Sequence, residues 1–368
     1  TIKRMLKGKT IGVVVPTYNE ERQIEEVIAT MPSFVDRIVV VNDKSTDKTV
    51  KIVKKLIKKD TSKVTKLNGK KKIEQNKYNH AEFVLEEIRV QEDSRYTPSE
   101  VENEDPKNSR IILISHLKNA SVGSAISTGY KWCRDHHIDC TAVMAGDGQM
   151  DPAELEKICL PVIEENIDYV KANRLRHRSA LFVIPRIRYF GNSILSLFTK
   201  IASGYWRVSD TQTGYTAISL PALNAIRLYN IYPSYGCPND ILVKLNIAFC
   251  TIKEVGSKPV YNVGENSKMK ELRVVPRISW LLFKSFWKRL YVKYLFRDFH
   301  PLFVLYNFGI ICLLAALPFG IKVFRSVPMG ETLQWQFFAI FAFLFVLGMQ
   351  SLAFAMWMDM VDNERLYK

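Results

Sequence analysis

Residues 11–28 read IGVVVPTYNEERQIEEVI. The run from Ile11 to Val15 is apolar and mostly β-branched, and it ends at Pro16, the pattern of a buried strand. A polar turn follows, in which Asn19 is placed to cap a helix. Ile24, Val27 and Ile28 then recur at helical spacing. The unit repeats: 37–41 is a second strand running into Asn-Asp-Lys-Ser-Thr-Asp at 42–47, with a helix from about Lys48. Residues 111–115 and 141–144 are further strands, with a helix over about 124–134 between them. Strands that are almost wholly apolar and alternate with helices predict an α/β fold, a mostly parallel sheet covered on both faces. Ligands of such sheets bind outside the carboxyl ends of the strands. The polar segments 16–20, 43–47, 116–119 and 147–151 all fall there, so four clusters converge on one crevice.

Outward from this core, residues 61–108 break the rhythm, lysine-rich early and acidic late. They read as an exposed insertion holding one amphipathic element over 81–90. At the other end, 299–321 and 332–358 are charge-free apolar runs, each long enough to cross a bilayer as a helix. The net charge of +15 concentrates in 51–77 and 268–297, and the second cluster abuts the first apolar run. Basic residues beside a span mark the cytoplasmic side, and a hairpin returns Arg365 and Lys368 to it. No aromatic-basic recognition motif accompanies the charge, so nucleic acid is not an expected partner. Six cysteines show no metal-like spacing, as for reduced cytosolic thiols. The stretch IGVVVP is too short for a signal-peptide core.

The clusters carry chemistry. Asp147, Gln149 and Asp151 in MAGDGQMDP (144–152) offer closely spaced oxygens for a hard cation, although an Asp-Gly turn alone has the same spelling. Arg174, Arg176 and Arg178 follow a strand ending in YVKANR, with Arg186 and Arg188 beyond. Guanidinium forks suit phosphate. Pro185 is placed to start a helix striped by Ile187, Phe190, Ile194, Leu197 and Ile201, with Arg188, Asn192 and Ser196 on another face; a plain solvated face reads the same way. In 283–294, Phe283, Trp287, Leu290, Tyr291 and Tyr294 line one side, and Lys284, Lys288, Arg289 and Lys293 the others. That is the signature of a helix lying in the headgroup plane.

VVVPTYNEERQIEEVI (13–28), VVNDKSTDKT (40–49), HLKNASVGSAISTGY (116–130) and AGDGQMDP (145–152), in this order, resemble glycosyltransferase family 2. The likeness is to polyprenyl-phosphate glycosyltransferases of the dolichyl-phosphate-mannose-synthase type. The resemblance implies a GT-A (Rossmann-like) domain, a nucleotide-sugar donor and a Mg²⁺ or Mn²⁺ ion. It implies that Pro16, Tyr18 and Glu20 hold the nucleotide and that Asp43 recognises the base. Lys118 and Gly123 would border the donor pocket, and Asp147 and Gln149 would face the metal. It assigns the acceptor's phosphate to Arg174, Arg188 and Asn192, acceptor or sugar contacts to Asp210, Gln212 and Thr213, and a carboxylate near the transferred sugar to Asp240. From the residues alone, Asn239-Asp240 would simply cap a helix beginning at Ile241. The segment 261–273 (YNVGENSKMKELR) is expected to be a flap over that phosphate.

The chain departs from the family in one place: the acidic residue usual two before Asp147 is Ala145 here. One carboxylate fewer weakens cation binding and leaves a departing diphosphate less neutralised. The chain therefore divides into a GT-A catalytic domain (1–275, with the insertion 61–108 and an interfacial helix 181–203), a second interfacial helix (276–298) and a transmembrane hairpin with its tail (299–368). The expected activity is inverting transfer of a hexosyl group from a nucleotide-diphosphate sugar, UDP-linked rather than GDP-mannose, to a polyprenyl or dolichyl phosphate. The expected place is the cytoplasmic face of a multi-pass protein in the cell membrane or endoplasmic reticulum membrane. Two alternatives stand beside it. A processive polysaccharide synthase would carry Gln-x-x-Arg-Trp, whereas 277–280 is Arg-Ile-Ser-Trp. A non-catalytic membrane-bound sensor of nucleotide sugars has Ala145 in its favour.

Overall fold

The computed structural model describes residues 6–62, 64, 76–184, 186–260, 271–326 and 335–368, without the side chains of 181, 186–190, 192, 271–274 and 326. Eight strands form one sheet: β1 (Ile11–Thr17), β2 (Arg37–Asn42), β3 (Ser99–Val101), β4 (Ile111–His116), β5 (Cys140–Val143), β6 (Tyr169–Asn173), β7 (Thr216–Ser219) and β8 (Ile252–Gly256). Their order is β3-β4-β2-β1-β5-β7-β6-β8. β1 pairs in parallel with β2 and β5, β2 with β4, and β6 with β8; only β3 and β7 run the other way. Six strands therefore deliver their carboxyl ends to one rim.

The β-branched runs fill both faces by simple alternation. Val14, Val39, Val41, Ile112 and Ile114 pack with the helix Val122–Asp135 on one side. Ile11, Val13, Val15, Ile38, Val40 and Leu113 pack with the helices Ile24–Ala29 and Leu155–Glu164 on the other. Asn19 does not cap the first helix, which begins at Ile24. It stands instead in the left-handed region at φ 57°, its side-chain Oδ1 accepting from Thr46 N at 2.8 Å. The insertion supplies the helix His80–Asp93 and the edge strand β3; its residues 63 and 65–75 lie outside the described ones.

The helices Pro301–Ser326 and Trp335–Glu364 are long and apolar enough to cross a membrane, and most of their surface is uncovered. They run antiparallel. A Cβ on Gly309 would meet Leu352 at 2.9 Å, one on Gly320 would meet Phe341 at 2.9 Å, and Ser351 Oγ donates to Leu305 O at 2.9 Å. The start of the first helix packs Leu302 and Tyr306 against Leu290 and Tyr294, at the same end of the pair as the close of the second. The tail adds a parallel bridge between Tyr367 and Ile252, with Ile252 N donating to Leu366 O at 2.7 Å.

One expectation fails. Arg289 and Lys293 do not face headgroups; both are buried, as are Leu290 and Tyr294. The helix Glu271–Tyr291, which carries Arg289 and Leu290, continues as a π-helical turn, Val292–Arg297, which carries Lys293 and Tyr294. Arg289 donates to Asp359 Oδ1 at 2.7 Å and Oδ2 at 2.8 Å, and to the carbonyls of Ile201 and Ala202 at 3.0 and 2.9 Å. It thus terminates the helix Arg186–Ser203, where cations are favoured, and ties it to the second apolar helix. Phe283 and Tyr291 do remain exposed.

Candidate active site

The rim at the strand ends is built from interlocked loops. Beyond β1, Asn19 N donates to Ser45 Oγ at 3.0 Å and Glu20 N to Thr49 Oγ1 at 3.0 Å. Asp47 accepts from Glu21 N and Thr49 N, and these hydrogen bonds outweigh burial and lower its pKa. Asn19, Lys44, Ser121 and Gly148 each hold positive φ, one in each loop after β1, β2, β4 and β5. Such conformations persist where the surroundings enforce them, commonly at binding sites.

Asp43 is buried at the centre. Its Oδ1 accepts from His116 Nδ1 and Ala120 N at 2.8 Å each, and its Oδ2 from Ser121 N at 2.8 Å. Three donors fill three of roughly four acceptor positions on a carboxylate, so Asp43 chiefly pins the loop after β4. Gly123 serves the same packing. Its N donates to Pro233 O at 2.7 Å, and a Cβ there would stand 2.0 Å from Tyr232 O. Lys118 and Tyr18 are exposed, Glu20 is partly exposed, and Pro16 is buried within β1.

After β5, Gly146 N donates to Pro16 O at 3.2 Å, which brings this turn beside the first loop. Asp147 Oδ1 accepts from Gln149 N at 3.0 Å, and Gly148 at φ 74° makes the turn possible. No group of three or more His, Cys, Asp or Glu suited to a metal exists among the described residues. Asp147 with Gln149 fits the less demanding case, a Mg²⁺-type ion that takes one or two protein oxygens and completes its shell with water and substrate phosphate.

Beyond β6 lies a denser constellation. Arg174 grips Asp210 with both arms of its fork, Nε to Oδ2 at 2.8 Å and Nη2 to Oδ1 at 3.1 Å. Asp210 is 2% exposed; burial alone would raise its pKa, but Arg174 outweighs this and holds it low. Glu254 accepts from Ser209 N, Asp210 N and Asn173 Nδ2. Lys171 points into the same cluster and donates to Thr213 O; burial lowers its pKa to about 8 despite Asp210 and Glu254. Gln212 Nε2 donates to Asn239 Oδ1 at 3.1 Å, and Asn239 Nδ2 is buried with no partner among the described residues. Ser196 Oγ lies 3.0 Å from Thr211 Oγ1, docking the helix Arg186–Ser203 on this loop. The side chains of Arg188 and Asn192 lie outside the described residues, as do residues 261–270 of the expected flap; its last three positions, 271–273, are not loop but the start of the helix Glu271–Tyr291.

Asp240 sits in the first turn of the helix Cys237–Ile247, not before it. Its Oδ2 accepts from Tyr232 N at 2.8 Å and from Lys244 Nζ. The structure thus gathers Arg174, Asp210 and Gln212 at one side of the rim and Asp43, Gly123 and Asp147 along its middle. His116 comes from the expected polar segment 116–119 and Asn239 from the expected cap, while Lys171 and Glu254 join them unforeseen. Lys171 left a trace in the sequence, a lysine inside the apolar strand YVKAN.

Residues 12–81 match the family model of glycosyl transferase family 2. The chain is 27% identical over 256 residues to the UDP-N-acetylglucosamine–dolichyl-phosphate N-acetylglucosaminyltransferase of Methanococcus voltae, covering 68% of this chain and 87% of that protein. It is 24% identical over 282 residues to an uncharacterized protein of Methanocaldococcus jannaschii, covering 76% of this chain and 93% of that one. Among solved structures, glucosyl-3-phosphoglycerate synthase from Mycobacterium tuberculosis in complex with Mn²⁺, UDP and glucosyl-3-phosphoglycerate aligns at 17% identity with a TM-score of 0.43, covering 77% of this chain and 80% of that chain. The chain is a glycosyltransferase built around a glycosyl transferase family 2 domain.

Proposed function

We propose that the protein transfers a hexosyl group from a UDP-sugar to a polyprenyl phosphate of the dolichol type, with inversion, at the cytoplasmic face of a membrane. The observation that carries this is the likeness to the Methanococcus voltae enzyme, whose name gives that donor nucleotide and acceptor class, across most of both chains. The Arg174–Asp210 cluster and the exposed apolar residues Ile194, Leu197 and Phe198 on the neighbouring helix suit an acceptor with a phosphate head and a lipid tail. The two apolar helices, joined to the rest of the protein by the start of the first and the close of the second, would anchor the rim at the bilayer, with the basic segment before them on the cytoplasmic side.

An acceptor phosphate oxygen is already ionised, so it needs positioning rather than a general base. It attacks the anomeric carbon; the bond from that carbon to the diphosphate oxygen breaks, and UDP leaves with the electron pair. Arg174, with Arg188 and Asn192 as further candidates, would hold the acceptor phosphate. Pro16, Tyr18, Glu20, Asp43 and Lys118 would surround the nucleotide, while Gly123 keeps the loop closed behind it. Asp240 and Gln212 would orient the transferred sugar and the acceptor. A divalent cation, held by Asp147 and Gln149 when bound, would neutralise charge on the leaving diphosphate.

Ala145→Asp tests this reading. Added to the Asp147 turn, the carboxylate should raise turnover with Mn²⁺ by about 10- to 100-fold, in line with the effect of one electrostatic group on a charged transition state. Tighter nucleotide-sugar binding with no gain in turnover would instead support the sensor.

A further inference from the structure

Adjoining the strand-end rim and sharing Asp240 with it, on the flank of the helical layer, lies a recess of about 470 Å³. Arg95 enters it from the segment leading into β3, Asp240 and Lys244 from the helix Cys237–Ile247, and Lys284 and Lys288 from the helix Glu271–Tyr291. Four cations thus share one carboxylate. Asp240 is already engaged by Lys244 and by Tyr232 N. Lys284 stands over the Trp280 ring at 5.2 Å, and neither it nor Lys288 has an acidic partner among the described residues. Burial depresses the pKa of Lys244, and the charge of Lys288 adds to that effect. Arg95 is held in place, its guanidinium 5.2 Å over the Tyr229 ring and its Nη1 3.1 Å from the Tyr229 hydroxyl. Like charges gathered in one concavity repel unless an anion joins them.

The recess is separate from the Arg174 cluster. Ile278 and Leu282, on the far face of the same helix, pack with Leu195 and Ala202 of the helix Arg186–Ser203. Leu281, Lys284 and Lys288, at i, i+3 and i+7, face the recess. Trp280 and Phe283, 57% and 53% exposed and stacked at 5.4 Å, border it on the same helix. Ammonium and guanidinium groups select a phosphate, and exposed indole and phenyl rings select an apolar neighbour to it.

We propose that this recess binds the phosphate of an anionic membrane phospholipid, a ligand other than the acceptor of the transferred sugar. The proposal does not rest on the transfer reaction, since it concerns only binding by the resting protein. A lipid held here would fix the angle between the helix Glu271–Tyr291 and the bilayer plane.

The test uses the full chain in neutral detergent, with lipid retention read by native mass spectrometry. The probes are phosphatidylglycerol, phosphatidylcholine and glycerol 3-phosphate. The variants are Lys284→Gln/Lys288→Gln and, as a charge-matched control on a distant exposed face, Lys51→Gln/Lys55→Gln. Phosphatidylglycerol should be retained over phosphatidylcholine, and the recess pair should weaken that retention by about tenfold or more, from the usual contribution of a lysine to anionic-lipid attraction. The control pair should retain it as the parent does. Retention of glycerol 3-phosphate but not of phosphatidylglycerol would keep a phosphate site and overturn its lipid occupant. Equal retention of both lipids, or equal weakening by the control pair, would overturn the site altogether.

Discussion

Asp359→Leu lowers the thermal unfolding midpoint of the full chain by roughly 4–7 °C and loosens the second apolar helix from the sheet domain. Arg289 and Asp359 are both wholly buried, and their paired bonds are backed by Tyr294 and Trp206, whose OH and Nε1 donate to Asp359 at 2.8 and 3.1 Å. Removing one member of a buried pair strands the other charge, at a cost of about 3–5 kcal/mol, which sets that shift for a chain of this size. Gly204 belongs to the same lock: at φ 76°, it leaves the space that Arg289 Nη1 fills, 2.5 Å from where a Cβ would stand. Replacing both charges, as Arg289→Met/Asp359→Leu, strands neither. The double variant should therefore unfold at a higher temperature than Asp359→Leu, measured by a thermal melt of each in the same detergent. A double variant no more stable than the single would show that the ion pair is not what fastens these helices.

Arg174→Ala lowers sugar transfer by about 100-fold or more, the loss expected when the attacking phosphate is no longer held in position. Arg174→Lys recovers little, because an ammonium cannot reproduce the planar fork. Stability must be separated from chemistry here, since Arg174 also compensates the buried Asp210. In Arg174→Ala/Asp210→Asn the stranded carboxylate is gone, and Lys171 no longer has Asp210 to attract it. If Arg174 holds the acceptor phosphate, the double variant regains its melting temperature but stays inactive, with the defect expressed in the acceptor KM and kcat. Recovery of both together would make Arg174 a purely structural residue.

What could be read in advance follows the range of the forces involved. β1, β2, β4 and β5 announced themselves because each is a short apolar run closed by polar turn residues, a local signal. β3 is three exposed residues, Ser-Glu-Val, held only by pairing with β4, and nothing local marks it. The single bridge from Tyr367 to Ile252 of β8 spans more than a hundred residues of chain, again without a local sign. The inward faces of Arg289 and Lys293 are hidden for the same reason: amphipathic spacing separates the faces of a helix but cannot say that one meets an aspartate 70 positions away. In the site, turn chemistry and family likeness pointed to Asp43, Asp147, Arg174 and Asp210. The supporting residues His116, Lys171, Glu254 and Asn239 act through contacts made between strands and loops, which spacing does not encode.

The most direct measurement is transfer itself. The parent chain and Ala145→Asp, each full length in detergent, are incubated with radiolabelled UDP-sugars and GDP-mannose, Mn²⁺ and a polyprenyl phosphate, and the lipid is then extracted. Label entering a mild-acid-labile lipid fraction from a UDP-sugar, more of it with Ala145→Asp, is the predicted result. No labelled lipid from any donor, with nucleotide-sugar binding intact in both proteins, would contradict it.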